Sequence, residues 1–434
     1  MRNIALCMEL SDHYEHGIAR GLVRYAKSKA EWRLYGYGWM FRPLADLSSW
    51  AGDGIIARVE DTETADTLSA LGLPVVDVAG AYTRPHFRGV TNDDFLTGYK
   101  AAIHLIDCGF SRFAFLGVSG TLWSGQRKAG FEKCLAQRGV GDRAAASVGD
   151  RAAVPALPSF ERPLAWWESR PVGDRAADHP AGDRAAANPA GDRAAPPDLG
   201  DLEAFLLSLE APTALFACND TTGLRATELA GRVGLAVPES LAILGVDNED
   251  ILCELASPSL SSIMLDCEAI GFRAAAALDA ILEGNPAAGI AGSGSVPGVP
   301  GAGLPEGARI EVPPKEVVER ESTRIFACTD PLVARAVTFI RARAHEGIDV
   351  SDVLAVASAS RRSLETRFRA QMGRSLHEEI LRAKLARAKR LLRDTDTTID
   401  RIADESGFGA PGRFHTAFRE AEGMTPGEWR RKGG

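Results

Sequence analysis

Polar side chains recur just beyond short apolar runs in the first two thirds of this 434-residue chain. Asn92 and Asp93 follow Val90, Trp123, Ser124 and Arg127 follow the run Phe113–Val118, Asn219 and Asp220 follow LFAC, and Asp247 and Asn248 follow ILGV. Asp12 and Tyr14 stand just after the first run, Ile4–Met8, and complete the candidate ligand set. Carboxylates and a guanidinium grip adjacent hydroxyls in bidentate fashion, and a flat aromatic such as Trp123 covers an apolar ring face. The set therefore suits a small polyhydroxylated ligand. Asn219 and Asp220 also stand where a helix begins, so helix capping competes as their role.

A second constellation lies between Asp330 and Arg431. VSDVLAVASASRRSLETRFRAQMGRS (Val350 to Ser375) and TTIDRIADESGFGAPGRFHTAFREAEGMTPGEWR (Thr397 to Arg430) share one layout. A short apolar helix (Val353, Leu354, Val356; then Ile399, Ile402, Ala403) leads through a small-residue turn into a second helix. There the apolar residues sit four apart, Leu364 and Phe368, then Phe414 and Phe418, which buries one face and frees the other. Leu376, Ile380, Leu385, Ala388 and Leu392 predict an amphipathic helix joining the two units. Two helix-turn-helix units roughly 34 Å apart can enter successive major grooves on one face of a duplex. Charge agrees. Residues 330–434 carry 20 Lys and Arg against 15 Asp and Glu, a net +5, while the whole chain is −8. A basic tail on an acidic body is the footprint of local contact with double-stranded DNA.

The elements that must position these residues are legible in order. Apolar runs at Ile4–Met8, Arg33–Tyr37, Gly54–Val59, Pro74–Val78 and Arg112–Gly117 alternate with helical patterns at Asp12–Lys29, Asp61–Leu71 and Asp94–Cys108. The alternation resumes with helices at Leu202–Leu209, Thr221–Val233 and Glu268–Leu282 and strands at Ala214–Cys218 and Ala242–Val246, and Ile310–Val318 reads as a final strand. The expected fold is a two-lobed α/β domain with parallel sheets over residues 1–320, a junction at 321–329, and an all-α tandem helix-turn-helix domain over 330–434. GDRAA occurs five times within 141–200, and that stretch is expected to be a surface loop with little to bury. Within it only Phe160 to Trp167 has core-forming content. Gly289–Gly307 reads as a second enlarged loop.

Several classes are set aside. MRNIALCMEL is too short and lacks a cleavage site for a signal peptide, and no run of some 18 apolar residues predicts a membrane span. A solute-binding transport component is therefore disfavoured and a cytoplasmic protein expected. The seven cysteines show no CxxC pairing and read as reduced core residues. His13 and His16 have no ligating companions, so no metal is expected. Without a phosphate-cradling glycine loop, a nucleophile elbow or a Cys/His pair at catalytic spacing, no catalytic residue and no cofactor are assigned. An α/β enzyme remains the rival class.

SRRSLETRF, the Ala-rich helix after it and GFGAPGRFHTAFREAEGMTPGEWR resemble the DNA-binding domain of the AraC family of transcription activators. That resemblance implies that Arg361, Arg362, Glu365 and Thr366, with Arg367 beside them, face the first groove. Pro411, Gly412, Arg413 and Thr416 would face the second. Pro411 and Gly412 offer no side-chain donors, so the first unit should read most of the sequence. SGQRKAGF (Ser124–Phe131), FACNDTTGLRA (Phe216–Ala226) and PESLAILGVDN (Pro238–Asn248) resemble the periplasmic-binding-protein-like sensor of LacI/GalR-type repressors. By that resemblance Arg127, Asn219 and Asp247 contact a sugar. Such repressors carry their DNA-binding headpiece at the N-terminus, whereas this chain opens on the first strand. A sensor fused to a C-terminal AraC-type domain is instead the layout of the xylose operon regulator family. That layout implies a homodimeric activator on promoter DNA, with xylose or a related monosaccharide as effector and RNA polymerase as a further partner.

Overall fold

The computed structural model describes residues 1–29, 31–37, 50–81, 87–140, 157–168, 199–284, 309–324, 330–372 and 374–431. They form two compact units, one of Met1–His104 and Ser111–Arg324, the other of Leu105–Phe110 and Ile325–Gly434. No described helix is long and apolar enough to cross a membrane.

The first unit is built on two six-stranded sheets. The first lobe carries β1 (Arg2–Cys7), β2 (Trp32–Tyr37), β3 (Gly54–Ala57), β4 (Val75–Asp77), β5 (Arg88–Asn92) and β11 (Arg309–Val312), in the order β11-β5-β4-β3-β1-β2, all parallel. The second carries β6 (Phe113–Val118), β7 (Ser159–Arg162), β8 (Thr213–Ala217), β9 (Leu241–Asp247), β10 (Ser261–Met264) and β12 (Val317–Val318), in the order β12-β10-β9-β8-β6-β7. Helices cover the sheets, so β6 and β8 are buried along their whole length and read as unbroken apolar runs. In the first lobe α1 (His13–Lys29) packs on α9 (Cys267–Leu282) at backbone distance. A Cβ on Gly271 would stand 2.0 Å from the Ile18 carbonyl oxygen, so only glycine fits there. This close packing presents the N-terminal end of α1, with Asp12 and Tyr14, at the carboxyl ends of the strands.

Three segments cross between the lobes: Asn92 into α3 (Asp94–Asp107), Met264 into α9, and Val312 to Val317. They are laced together. Asp93 N donates to Val312 O at 2.8 Å, Met264 N to Glu316 O at 2.8 Å, and Lys315 N to Met264 O at 2.9 Å. Lys100 Nζ fastens the third by donating to the carbonyl oxygens of Pro314 and Lys315. Here the structure corrects the sequence reading. Ile310–Val318 is not one strand, because Pro313 and Pro314 cannot donate to a ladder and end β11, and β12 then pairs antiparallel with β10 in the other sheet.

Within 141–200 the part with core-forming content, Phe160 to Trp167, does pack. Residues 157–168 add β7 to the free edge of β6, register Leu116 to Phe160, and then form α5 (Leu164–Glu168). The chain resumes in helix at α6 (Gly200–Ser208). All five GDRAA repeats and the expected loop 289–307 lie outside the described residues. The expected junction 321–329 is described only to Arg324.

The second unit is helical: α10 (Pro331–Arg343), α11 (Val350–Ala357), α12 (Arg361–Met372), α13 (Leu376–Asp394), α14 (Ile399–Glu405), α15 (Pro411–Glu422) and α16 (Pro426–Arg431). α13 starts with a capping box in which the Ser375 hydroxyl accepts from Glu378 N. Its first half contributes Leu376 and Ile380 to a core with Val353, Leu364 and Phe368, and its second half gives Leu385, Ala388 and Leu392 to another with Ile402, Phe414 and Phe418. One helix thus shares its length between two helix-turn-helix units. Val356, one of the apolar residues of the short first helix, is exposed, because Val353 and Ala357 supply the inward stripe of α11. Arg430 clasps the second unit, donating from Nη2 to Thr397 O at 2.7 Å and from Nε to Leu392 O at 3.2 Å.

Candidate effector cleft and nucleic-acid surface

The carboxyl ends of the parallel strands in both lobes face one cavity of about 170 Å³. Of the residues expected from sequence, Asp12, Tyr14, Trp123, Arg127, Asn219, Asp220 and Asp247 line it. Asp93 does not. Its carboxylate accepts from Leu96 N at 2.8 Å and caps α3, and the next residue, Asp94, takes the cleft position. Sequence reasoning missed Arg58, Glu60, Glu249, Leu164 and Trp167. The first three follow β3 and β9, so the strand-end rule already contained them. The last two arrive with α5, whose flanking repeats hid it.

Arg127 is the hub of the second lobe. Its Nε donates to Asp94 Oδ1 at 2.8 Å, Nη1 donates to Cys218 O, and Nη2 lies 3.7 Å from Asp247 Oδ1. Its guanidinium also sits 5.0 Å from the Trp123 ring centre. Arg58 plays the same part in the first lobe, with Asp12 at 2.7 Å, Glu60 at 3.0 Å and Glu15 at 3.3 Å. Both cations are occupied by carboxylates. The cleft therefore offers a ligand mainly acceptors.

Two acceptors are left open. Asn92 donates from Nδ2 to Asp94 Oδ1 and Thr97 Oγ1, both at 2.8 Å, while its buried Oδ1 has no partner among the described residues. An orphaned buried acceptor costs about 1–3 kcal/mol unless something donates to it. No described group donates a hydrogen bond to the Asp247 carboxylate, which is 27% exposed into the cleft. Asp247 and Asn248 adopt φ of +105° and +52°, a strained geometry that turns both side chains at the end of β9.

Burial among like charges moves these groups. Desolvation first, then Asp220, Asp12 and Asp94, push the Asp247 carboxyl up against the pull of Arg127. Desolvation likewise raises Asp220, although Ser262 Oγ at 2.6 Å and Glu249 N at 2.8 Å donate to it. Tyr14 is raised by burial and donates to Val78 O at 2.7 Å. Asn219 caps its helix and also lines the cleft. Its Oδ1 accepts from Thr222 N at 3.0 Å in a capping box, which leaves its amide nitrogen as the group it can offer the cleft.

On the second unit the expected DNA-facing residues lie on the outer sides of α12 and α15. Arg361, Arg362, Thr366 and Arg367 are exposed, as are Arg413 and Thr416. Ser360, Arg362, Ser363, Thr366 and Arg367 share one open surface groove. Arg361 pairs with Glu365 at 2.9 Å and Arg367 with Asp330 at 3.0 Å. Such exposed pairs are worth at most about 1 kcal/mol and yield readily to a phosphate. Thr416 Oγ donates to Gly412 O at 3.1 Å, so α15 offers fewer unengaged donors than α12.

Comparison with known proteins agrees with this anatomy. Residues 3–91 match the XylR N-terminal domain, 174–323 a periplasmic binding protein-like domain, and 353–432 a helix-turn-helix domain. The xylose operon regulatory protein of Escherichia coli (strain K12) is 27% identical over 438 residues, spanning 98% of this chain and 96% of that one. An AraC-like transcription regulator of Streptomyces lividans is 33% identical over 102 residues, 24% of this chain and 34% of its own. The solved structure of the xylose-binding transcription activator XylR superposes with a TM-score of 0.53 at 25% identity, covering 99% of this chain and 98% of that one. These relatives are transcription regulators and not enzymes. The chain is a transcription regulator homologous to the xylose operon regulatory proteins, with an XylR-type N-terminal domain, a periplasmic-binding-protein-like domain and a C-terminal AraC-type helix-turn-helix domain.

Proposed function

We propose that this regulator binds a monosaccharide, xylose or a sugar of similar size, in the cleft between its lobes and thereby controls its grip on promoter DNA. The observation that carries the reading is the cleft's surplus of hydrogen-bond acceptors, above all the orphaned Asn92 Oδ1 and the undonated Asp247 carboxylate. A polyol meets that need by donating several hydroxyls, and charge-assisted O–H···O⁻ bonds are the stronger kind. The names of the relatives point to the same class of ligand.

In the mechanism, the sugar stabilises the lobes in their closed arrangement, and closure alters how two copies pair. The tandem units of 330–434 then meet two DNA half-sites at the correct spacing. Only the difference in sugar affinity between open and closed forms can drive this shift. A homodimer in the cytoplasm, activating a sugar-catabolic operon with RNA polymerase as its downstream partner, is the full form of the proposal. Calorimetry of the full chain against a panel of pentoses and hexoses tests the sensor half. Absence of heat with every sugar removes the sugar reading and leaves the DNA reading standing.

A further inference from the structure

GDRAA repeats lie on both sides of the short segment that carries Trp167. The Trp167 indole is fully buried, at 0% exposure, and lines the cleft with Leu164. It is fixed on several sides. Nε1 donates to Gly117 O at 3.1 Å in β6, and the ring stands edge-on to Trp166 (4.7 Å between centres, 83°) and to Phe160 (6.0 Å, 83°). Phe160 is itself held against Phe205 of α6 at 5.7 Å. A close-packed ring with its one polar atom satisfied has no free volume into which to retreat.

Part of the first lobe's wall is softer. The Asp12 and Glu60 side chains are 39% and 41% exposed, and they can shift outward to admit a ligand. The cavity of about 170 Å³ is also well below the roughly 300–1,000 Å³ of drug-sized sites. The limit on ligand size therefore lies on the wall that cannot move.

We propose that Trp167 is a specificity-determining residue that sets the largest monosaccharide the cleft accepts. The inference rests on the reading that the cleft binds a sugar. Its test is titration calorimetry of the full chain with aldopentoses and the matching aldohexoses, which differ by one CH₂OH, comparing the unaltered protein with Trp167→Ala and Leu164→Ala. The unaltered chain should favour pentoses. Trp167→Ala should raise the hexose-to-pentose affinity ratio about tenfold or more, the scale of discrimination that one carbon unit supports. Leu164→Ala should move the ratio the same way by less, and it decides the matter if Trp167→Ala does not unfold cooperatively. Sugar binding by the unaltered chain with a ratio that stays within about twofold in the folded variants overturns the assignment. No binding of any sugar by the unaltered chain overturns the sugar reading itself, and the assignment with it.

Discussion

Glu249 Oε2 accepts a hydrogen bond from the backbone N–H of His13 at 2.6 Å, and the two residues belong to opposite lobes. His13 opens α1, where unpaired N–H groups and the helix dipole favour a carboxylate. Glu249 is anchored in turn, because its own N–H donates to Asp220. The bond thus spans the cleft from one strand end to another and favours the closed arrangement. A hydrogen bond to a charged group is worth about 1.5–3 kcal/mol. Glu249→Ala should weaken sugar binding about tenfold or more by calorimetry, whereas Glu249→Gln, which still accepts, should lose much less. Equal losses in both variants would contradict a closing role.

Asp220 and Asp247 should make the proposed sugar binding sensitive to pH. Burial pushes their carboxyls up to about 7 and about 8 from an ordinary 3.8. In the free protein each holds its proton more tightly folded than unfolded, so this pair costs the fold progressively more stability as pH rises from about 4 to about 8. Hydroxyl donors favour the ionised form, so sugar binding should release protons and tighten as pH climbs through 7 and 8. Asp247 is faced by Arg127, Asp94, Asp220, Asp12 and Cys267, and the guanidinium of Arg127 alone opposes the rise. Calorimetry in buffers of different ionisation heat measures the released protons. Identical heats and a flat affinity between about pH 6 and 9 would refute the linkage.

Much of this was legible in the sequence, for physical reasons. Buried parallel strands announce themselves as apolar runs, and the rule that ligands meet the carboxyl ends of strands located seven cleft residues. The four-residue spacing of Leu364 with Phe368 and of Phe414 with Phe418 located both helix-turn-helix cores. What escaped depends on partners distant in sequence. Asp93 and Asp94 differ only in which carboxylate caps the helix and which turns to Arg127, and spacing alone does not separate them. Composition singled out Phe160 to Trp167 as core-forming, but not the empty sheet edge beside β6 on which they dock. The proline pair at 313–314 is a visible break between the apolar residues of Ile310–Val312 and Val317–Val318, which the sequence reading joins in one strand.

Gly407 joins the two halves of the helical unit through its lack of a side chain. Its φ is +78°, and a Cβ there would stand 2.3 Å from the Ala344 carbonyl oxygen. Gly407→Ala should cost about 2 kcal/mol or more, from left-handed strain and the clash together. Urea denaturation of the full chain, followed alongside DNA binding, measures it. An unchanged midpoint would show that the turn relaxes freely.

Arg362 and its neighbours should separate in function. Arg362 lies in the open groove of α12 and has no ion-pair partner among the described residues, as the base-edge contact expected of it requires. Arg362→Ala should cost about 1–3 kcal/mol on the preferred sequence and relax discrimination at one position. Arg367→Ala should weaken all sequences alike and lower the salt slope by about 1. Loss of discrimination in the Arg367 variant alone would reverse these roles.

In the proposed mechanism the acidic cleft governs the basic tail. Fluorescence anisotropy of the full chain on a labelled fragment of its own promoter region, across a salt series, with and without the sugar that calorimetry identifies, measures that control. Binding should prefer one sequence and weaken steeply with salt, and sugar should shift its affinity in the unaltered chain but not in Asp247→Asn. Salt-dependent DNA binding that is indifferent to a sugar the cleft demonstrably holds would contradict the mechanism.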